Sequence, residues 1–217
     1  MGRTPRFARE QLQATALAIV DEQGLGGLSM RSLAHALGTG PMTLYNYVAT
    51  REELDTLVVE AVAAGAKWSH PAGCDWEHEL INVARAIWSA VRQHPHAVPL
   101  ILTRRSRSPA VLNVAEALLA PLARAGLEGG ALLVAFRSVT ALIIGLAQGE
   151  LAGPLALKAG ESAGETIARF RALPPDRFPR LREAAGAAAR SSPDQEFDAS
   201  LQLLVSGLKA CRNRRAQ

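Results

Sequence analysis

Apolar residues recur along most of the chain at the three- and four-residue spacing of an α-helix. Leu12, Ala16 and Ile19 set this phase for a first helix that ends at Gln23, and Gly24 is suited to terminate it. Clusters of glycine, proline and serine separate the later periodic stretches. No alternating apolar run is bounded by hairpin turns, so no sheet is expected. The pattern predicts an all-α protein.

A break at residues 69–73 divides the predicted helices into two groups. The first group contains the helix that ends at Gln23 and helices at about 30–37, 41–48 and 50–68. Helices of the second group are expected at about 75–94, 97–104, 109–125, 129–152, 161–172, 177–190 and 194–213. The chain is therefore expected to have a small N-terminal helical part and a larger C-terminal one.

The second and third predicted helices have the layout of a helix-turn-helix. Ser29 is suited to cap the second helix, and Pro41 suits the first position of the third. Gly38 allows the tight turn between them. Leu44 and Val48, four residues apart, would pack the third helix on the first two. In such a motif the last helix enters the major groove of DNA.

The exposed residue types of this motif suit contact with DNA. The methyl groups of Met42 and Thr43 can meet a thymine methyl, and the two tyrosines of the third helix can reach phosphate oxygens. Arg31 can pair with guanine or hold a phosphate, and Arg51 is placed for the DNA backbone. Each has an alternative: the tyrosines could pack internally, Arg31 could be a solvated charge, and Arg51 could serve only its acidic neighbours.

The composition narrows the class of protein without requiring a DNA partner. With 48% apolar residues among 217, the chain can form a core, which excludes a charge-rich disordered chain. Its two distant cysteines form no disulfide framework or CxxC site, and the first residues lack the apolar segment of a secretory signal. A reducing cytoplasm is expected.

The net charge of +4 is carried by the last nine residues, whereas residues 1–54 hold equal numbers of basic and acidic side chains. Charge therefore gives poor support for DNA binding, and the motif gives the main support. Both basic ends, 1–9 and 209–217, are expected to be poorly ordered tails. The arginines at 1–9 have the alternative of contacting DNA as an arm.

Four segments taken together resemble the DNA-binding domain of the tetracycline-repressor (TetR) family over about residues 9–60. They are Gly27–Ala34, Leu37-Gly38, Thr43–Val48 and Arg51–Leu54. The remainder resembles the family's C-terminal domain in length and helical layout, and several residues are similar to its tetracycline-repressor-like subgroup: Trp88, His94-Pro95, Ser108-Pro109, Leu112 and Glu116. The resemblance implies a helix-turn-helix domain at 1–54 and a ligand-binding and dimerisation domain at 55–217.

The resemblance also implies a set of DNA contacts from the second, third and fourth helices. They are Ser29, Arg31, Pro41, Met42, Thr43, Tyr45, Tyr47 and Arg51. Two positions depart from the family pattern. Ala8 stands where members often have a capping Ser or Thr, and Met42 stands where many have proline, here shifted to Pro41.

Polar side chains on otherwise apolar helices are candidates for a ligand site. Arg137, Thr140 and Gln148 lie roughly on one face of the most apolar helix, which is expected to be a buried helix and not a membrane span. Trp88, Asn113 and Glu116 are similar candidates. The alternative is that these groups are hydrogen-bonded across a helix or dimer interface.

The last predicted helix carries an apolar stripe that suits a partner helix or, alternatively, an internal core. The stripe is Phe197, Leu201, Leu204, Val205 and Leu208, with the small residues Ser200, Gly207 and Ala210 allowing close approach. By resemblance to the family, this helix and an earlier long one would form a dimer interface.

No metal, cofactor or catalytic site is expected. The histidines form no zinc pattern, and no P-loop, GxSxG or GxGxxG occurs. The sequence is interpreted as a dimeric, ligand-responsive regulator, most simply a repressor, that binds a near-palindromic operator and is released by a small apolar molecule. The helix from Arg51 to about Trp68 would act as the lever. The alternative function is a helical small-molecule carrier with a vestigial helix-turn-helix.

Overall fold

The computed structural model describes residues 6–69, 73–152 and 162–215. Every regular element in those ranges is helical, so the all-α prediction is confirmed. The chain forms two compact units, Met1–Pro121 and Leu122–Gln217, each treated separately below. The predicted boundary at 54/55 falls within a helix, and as a functional division it stays a prediction.

The helices follow one another with short connections. In the first unit they are α1 (Arg9–Gln23), α2 (Met30–Ala36), α3 (Pro41–Leu44), α4 (Arg51–Gly65), α5 (Trp76–Gln93), a 3₁₀ turn (Pro95–Ala97) and α6 (Val98–Thr103). The helix α7 (Pro109–Arg124) begins in the first unit and ends in the second. The second unit contains α8 (Gly129–Ala152), α9 (Ala163–Arg171), α10 (Pro179–Ala188) and α11 (Pro193–Arg215).

Several predicted helices are shorter than their apolar pattern suggested. The third ends at Leu44, because the following amides fold back in a tight turn and Tyr47 N donates to Leu44 O at 2.8 Å. The fourth ends at Gly65. The predicted 97–104 helix is α6, which ends at Thr103 and is preceded by the 3₁₀ turn that begins at Pro95.

The core of the N-terminal helices lies between α1 and α4. The predicted stripe of α1 is buried, with Ala16 and Val20 fully inaccessible, and α4 contributes Leu57 and Val58. Leu44 is also fully buried and anchors α3 to the same core. Each fully buried valine or leucine side chain contributes about 1.5–3 kcal/mol of hydrophobic stabilisation.

Glycine is required at the turn of the helix-turn-helix. Gly38 has a φ of 62°, which side-chain-bearing residues rarely adopt. Gly24 ends α1 as predicted and also has a positive φ, of 68°. Its ψ of −177° lies outside the left-handed helical region.

In the second unit, α8 packs against α11. The buried stripe of α8 includes Val139 and Ile143, and that of α11 includes Phe197, Leu201 and Val205. Three members of the apolar stripe of the last helix therefore lie in the core of this chain, whereas Leu204 and Leu208 are half-buried. That the stripe also meets a partner helix stays a prediction. The face left open on α11 is a different one.

The helix α8 is not the buried helix that its composition suggested. Its most apolar window has a mean hydropathy of 2.0, but only 22% of that window is buried within the chain. Val134 is 63% exposed. Gly129–Glu150 is the one stretch in the described residues long and apolar enough to cross a membrane by length and composition, which is weak support for a span.

The two ends of the chain are more structured than predicted. The helix α11 continues to Arg215, so most of the basic C-terminal segment is helical because its periodicity continues. At the other end Arg6 and Arg9 make hydrogen bonds within the protein. Arg3 lies outside the described residues.

Candidate DNA-binding surface and its connection to the core helices

The third helix presents a mostly open surface on the side away from its buried anchor, Leu44. Met42 is 78% exposed and Tyr45 is 49% exposed. Pro41 is exposed and Thr43 is half-buried. These side chains share a short helix whose other face is fixed in the core, so they are available to a partner without rearrangement of the fold.

Arg31 lies in the first turn of α2 and is exposed. No hydrogen bond or ion pair joins it to another described residue. Ser29, by contrast, is already used: its hydroxyl accepts from Ser32 N at 3.0 Å, and Ser32 Oγ accepts from Ser29 N at 2.8 Å. This reciprocal cap fixes the start of α2 and thereby the position of Arg31.

Tyr47 holds the N-terminal arm. Its hydroxyl accepts hydrogen bonds from Arg6 N at 2.8 Å and from Phe7 N at 3.3 Å. Its ring meets the ring of Phe7 edge-on at 6.0 Å. The guanidinium of Arg6 donates to Gly38 O at 3.3 Å, in the turn of the motif. The hydroxyl predicted to reach phosphate is therefore engaged within the protein.

The side chain of Arg51 is 53% exposed, but its guanidinium nitrogens are hydrogen-bonded within the protein. Its Nε donates to Asp55 Oδ1 at 2.8 Å, and its two terminal nitrogens donate to Leu28 O and Leu25 O. These carbonyls belong to the connection between α1 and α2. Arg51 thus ties the start of the helix-turn-helix to α4.

A buried carboxylate on α4 links this arginine to the end of α6. Asp55 is only 2% exposed. Its Oδ2 accepts from Arg104 Nε at 3.0 Å and from Arg104 Nη2 at 2.9 Å. Two arginines from opposite sides of the sequence break therefore share one buried carboxylate, which compensates its loss of hydration.

A second buried carboxylate lies on another side of α4. Glu60 is also 2% exposed. It accepts from both Arg9 Nε, at 2.9 Å, and Arg9 Nη2, at 3.0 Å. Gln13 donates to it at 2.7 Å, and Ser106 Oγ donates to it at 2.8 Å. It joins α1, α4 and the connection that follows α6.

The end of α1 is held by the turn that follows α5. His94 Nδ1 lies 2.8 Å from Asp21 Oδ2. His96 Nδ1 lies 3.2 Å from Val20 O and 3.3 Å from Asp21 O. These contacts attach the DNA-binding helices to the core helices of the same unit at a further point.

A polar cleft of about 610 Å³ runs beside α4 in the first unit. Its lining includes Tyr47 and Thr50, Glu53 of α4, and Arg105 and Arg107 of the connection after α6. Its walls carry both acidic and basic groups, so its charge is mixed. It is not the apolar pocket that the ligand prediction requires.

The six predicted ligand residues divide between the two units. Trp88 is 4% exposed and belongs to the core of the first unit, whereas Asn113 and Glu116 are exposed on α7. In the second unit Arg137 is exposed and Thr140 donates to Phe136 O of its own helix at 2.9 Å. The buried Oε1 of Gln148 has no hydrogen-bond partner among the described residues. Whether the six share a pocket stays a prediction.

Sequence reasoning missed the two buried carboxylates and their partners. One signal was present, since Glu60 interrupts an apolar run from Leu57 to Val62. A carboxylate placed among such residues needs partners, because burial without them is costly. Arg51, four residues before Asp55, was a local partner that helical spacing could have identified. Arg104 and Ser106 lie more than forty residues further along the chain than the carboxylates they bind, so nothing local identified them.

Comparison with known proteins adds to this geometry. A family model described as the tetracyclin repressor-like C-terminal domain matches residues 70–212. The HTH-type transcriptional repressor DrrR1 of Streptomyces coeruleorubidus is 30% identical over 153 residues, which cover 69% of this chain and 56% of that protein. The class A tetracycline repressor from transposon 1721 of Escherichia coli is 30% identical over 195 residues, covering 89% and 86%.

Among solved structures, the chain is similar to the TetR family protein ActR of Streptomyces coelicolor in complex with actinorhodin. The TM-score is 0.78 at 26% identity, and the match covers 95% of this chain and 98% of that one. The similarity therefore extends over the helix-turn-helix and the C-terminal helices alike.

Proposed function

The chain belongs to the tetracycline-repressor family of ligand-responsive transcriptional regulators, and on that premise we propose that it binds its operator as a homodimer through Arg31 and α3. The observation that supports this most directly is the exposed set on the helix-turn-helix, Arg31, Pro41, Met42 and Tyr45, held over a buried anchor. The carrier alternative is not favoured, because the relatives are repressors.

The proposal of a dimer rests on the small size of the surface that one copy offers to DNA. One short helix supplies few base contacts, so specificity requires two copies on a near-palindromic site. The surface available for pairing includes Val134 on α8 and Leu203 on α11, which are 63% and 76% exposed. Large exposed apolar side chains at neighbouring helices are typical of an interface.

We propose a small, largely apolar effector that binds the C-terminal helices and lowers the affinity for DNA. ActR binds actinorhodin. In this chain the apolar composition of α8 and its few polar groups support such a ligand. The effector acts only through a difference in its affinity for the two states of the protein.

A cytoplasmic location is part of the proposal, since the target is DNA.

An operator selection from random duplexes tests this function. The full chain should enrich a near-palindrome whose half-site centres are about 10–10.5 bp, or a multiple of that, apart. Actinorhodin and tetracycline then serve as probes in a release assay on the selected duplex. Enrichment of no sequence, or equal binding to selected and random duplexes, would contradict the proposal.

A further inference from the structure

The residues before α1 are fixed by contacts with the end of the helix-turn-helix rather than by a helix cap. Ala8 precedes α1, and its side chain makes no capping hydrogen bond. Phe7, the residue before it, is only 6% exposed, and its ring meets that of Tyr47 edge-on at 6.0 Å. The Tyr47 hydroxyl accepts hydrogen bonds from Arg6 N and Phe7 N. One tyrosine therefore holds two consecutive amides and fixes the path of the chain before α1.

These contacts place the charged group of Arg6 beside the turn of the motif. The Arg6 guanidinium donates to Gly38 O at 3.3 Å and lies 5.2 Å from the centroid of the Phe7 ring. Gly38 lies shortly before α3, which begins at Pro41. Arg6 is exposed, and a guanidinium has five N–H donors, of which the bond to Gly38 uses one. Most of its donors are therefore left for a partner near the start of α3.

Arg6 differs from two other arginines around the motif, because no carboxylate compensates its charge. Arg9 forms an ion pair with Glu60, and Arg51 forms one with Asp55. Arg6 has no carboxylate partner in the part of the chain that the structure describes. The predicted DNA-binding domain has no net charge, so its attraction to DNA depends on uncompensated groups of this kind.

The position of Arg6 suits the phosphate backbone at the edge of the groove that α3 would enter. The major groove is about 12 Å wide and has a phosphate strand along each rim, so groups that flank the start of a reading helix lie nearest to phosphate. A guanidinium binds phosphate well, because it can form two parallel N–H contacts.

We propose that Arg6 binds a phosphate of the operator and that Tyr47 is a positioning residue, whose hydroxyl holds the backbone of Arg6 in place. The proposal rests on the proposed function, since it assigns a further contact of the same DNA-binding surface. It also reassigns the tyrosine hydroxyl, which supports a phosphate contact made by another residue.

Binding of fluorescent duplexes across a salt series measures the contribution of the Arg6 charge. Arg6→Ala should make the slope of log K against log salt shallower by about one for each chain bound. At about 0.15 M salt this corresponds to about fivefold weaker binding per chain, on selected and random duplexes alike. Arg6→Lys keeps the charge and should retain the wild-type slope.

Lys67→Ala is the matched control for the loss of one positive charge. Lys67 is exposed and lies beyond the end of α4, a helix whose two ends are about 22 Å apart and whose start adjoins the helix-turn-helix. Its removal should leave the slope and the affinity as in the wild type.

Tyr47→Phe tests the positioning role, because it keeps the ring that contacts Phe7 and removes only the hydroxyl. It should reproduce at least half of the change in slope caused by Arg6→Ala, and it should have no further effect when Arg6→Ala is already present. A hydroxyl that itself binds phosphate would instead leave the slope unchanged. A smaller change in slope, or a loss of affinity that persists in the Arg6→Ala background, overturns the positioning role.

Failure of the proposed function gives a different result from failure of the Arg6 contact. Equal binding of the wild type to selected and random duplexes contradicts a sequence-specific regulator, yet the Arg6 comparison still decides on random duplex, because phosphate contacts do not depend on sequence. A wild-type slope in Arg6→Ala, folded by circular dichroism, overturns the phosphate contact and leaves the regulator intact. An equal change in Lys67→Ala, an Arg6→Lys slope equal to that of Arg6→Ala, or a wild type that binds no duplex also overturns the contact.

Discussion

Arg51 has a predicted role and an observed environment that differ. The sequence placed it on the DNA backbone, whereas its nitrogens bind Asp55 and the carbonyls of Leu25 and Leu28. We expect Arg51→Ala to lower the free energy of unfolding by about 1–2 kcal/mol, because it leaves these acceptors less well satisfied. Denaturant titration measures this.

The salt dependence of DNA binding separates the two roles of Arg51. A phosphate contact would make the slope of log K against log salt shallower by about one when Arg51 is removed. The internal role leaves that slope unchanged. The phosphate contact of Arg51 stays a prediction; a shallower slope with unaltered stability would support it and contradict the structural role.

Arg31 is the arginine that remains available for a base. It is exposed, it begins α2 and the Ser29–Ser32 cap fixes its backbone. Arg31→Ala should weaken binding to the selected operator by about 1–3 kcal/mol and relax specificity at one position. Competition titrations against single-base variants measure both effects. Arg190→Ala, which removes an exposed arginine in the turn after α10, is the control. Equal losses of Arg31→Ala on operator and random DNA would rule out base reading.

The exposed residues of the motif were more predictable than those whose side chains are hydrogen-bonded within the protein. Exposure of Met42 and Tyr45 follows from the helical phase set by Leu44, which is local information. Tyr47 and Arg51 have similar local contexts, but their atoms are engaged by Arg6, Phe7 and distant carbonyls. Such partners depend on tertiary packing, which periodicity does not encode.

At the scale of the element, the start of α5 shows how a cap depends on charge. Asp75 Oδ1 accepts from His78 N at 2.8 Å, and this backbone hydrogen bond, followed by the one from the His78 ring, lowers the pKa of Asp75. A lowered carboxyl pKa stabilises the fold above the unfolded value of about 3.9, and the contribution is lost as pH falls through the folded value.

Replacement of Asp75 should therefore destabilise the fold mainly at pH values at which the wild-type carboxyl is charged. We expect Asp75→Ala to lower the melting temperature at pH 7, because the carboxylate no longer holds the first turn of α5. Below about pH 3.9 the difference from the wild type should diminish progressively, and it should be lost as the pH falls through the folded pKa of Asp75, since the wild-type carboxyl then loses its charge. Thermal melts across pH, with Glu77→Ala as a second first-turn acid, check this; a constant difference would contradict the charged cap.

Helix bounds were predictable where the apolar periodicity and the helix-breaking residues agreed. They were not predictable where backbone geometry determined the end of the helix. The bounds of α1 and α8 follow their patterns closely. The early end of α3 at Leu44 depends on a turn of backbone amides that the apolar spacing of Leu44 and Val48 conceals. In the same way, the residues after α6 anchor through side chains rather than through an apolar face.

For the whole molecule, the apolar face of the second unit is the main feature that a single chain leaves unexplained. Composition identified α8 as a core helix, but only 22% of its most apolar window is covered by this chain. In the stripe predicted for a partner on α11, Phe197, Leu201 and Val205 are covered internally, because α11 packs on α8. Sequence periodicity marks both faces as apolar and does not say which one a second copy would cover.

The dimer proposal assigns that remaining face to a second copy, and Leu203 tests it. At 76% exposed, Leu203 carries almost no packing in this chain, so Leu203→Glu should leave the fold intact. A twofold interface contains the change twice, and burying a carboxylate there is costly. The dimer dissociation constant should rise roughly 100- to 1000-fold, with operator binding weakened in parallel.

Sedimentation over a concentration series, combined with shift assays on the selected duplex, measures both effects of Leu203→Glu. Leu181→Glu is the matched control, since Leu181 is also exposed, at 47%, but lies on α10 outside the proposed face. A folded Leu203→Glu protein that stays dimeric would exclude this face of α11 as the interface. A monomer that still binds the full operator with wild-type affinity would remove the argument that two reading helices are needed, because specificity would then come from one.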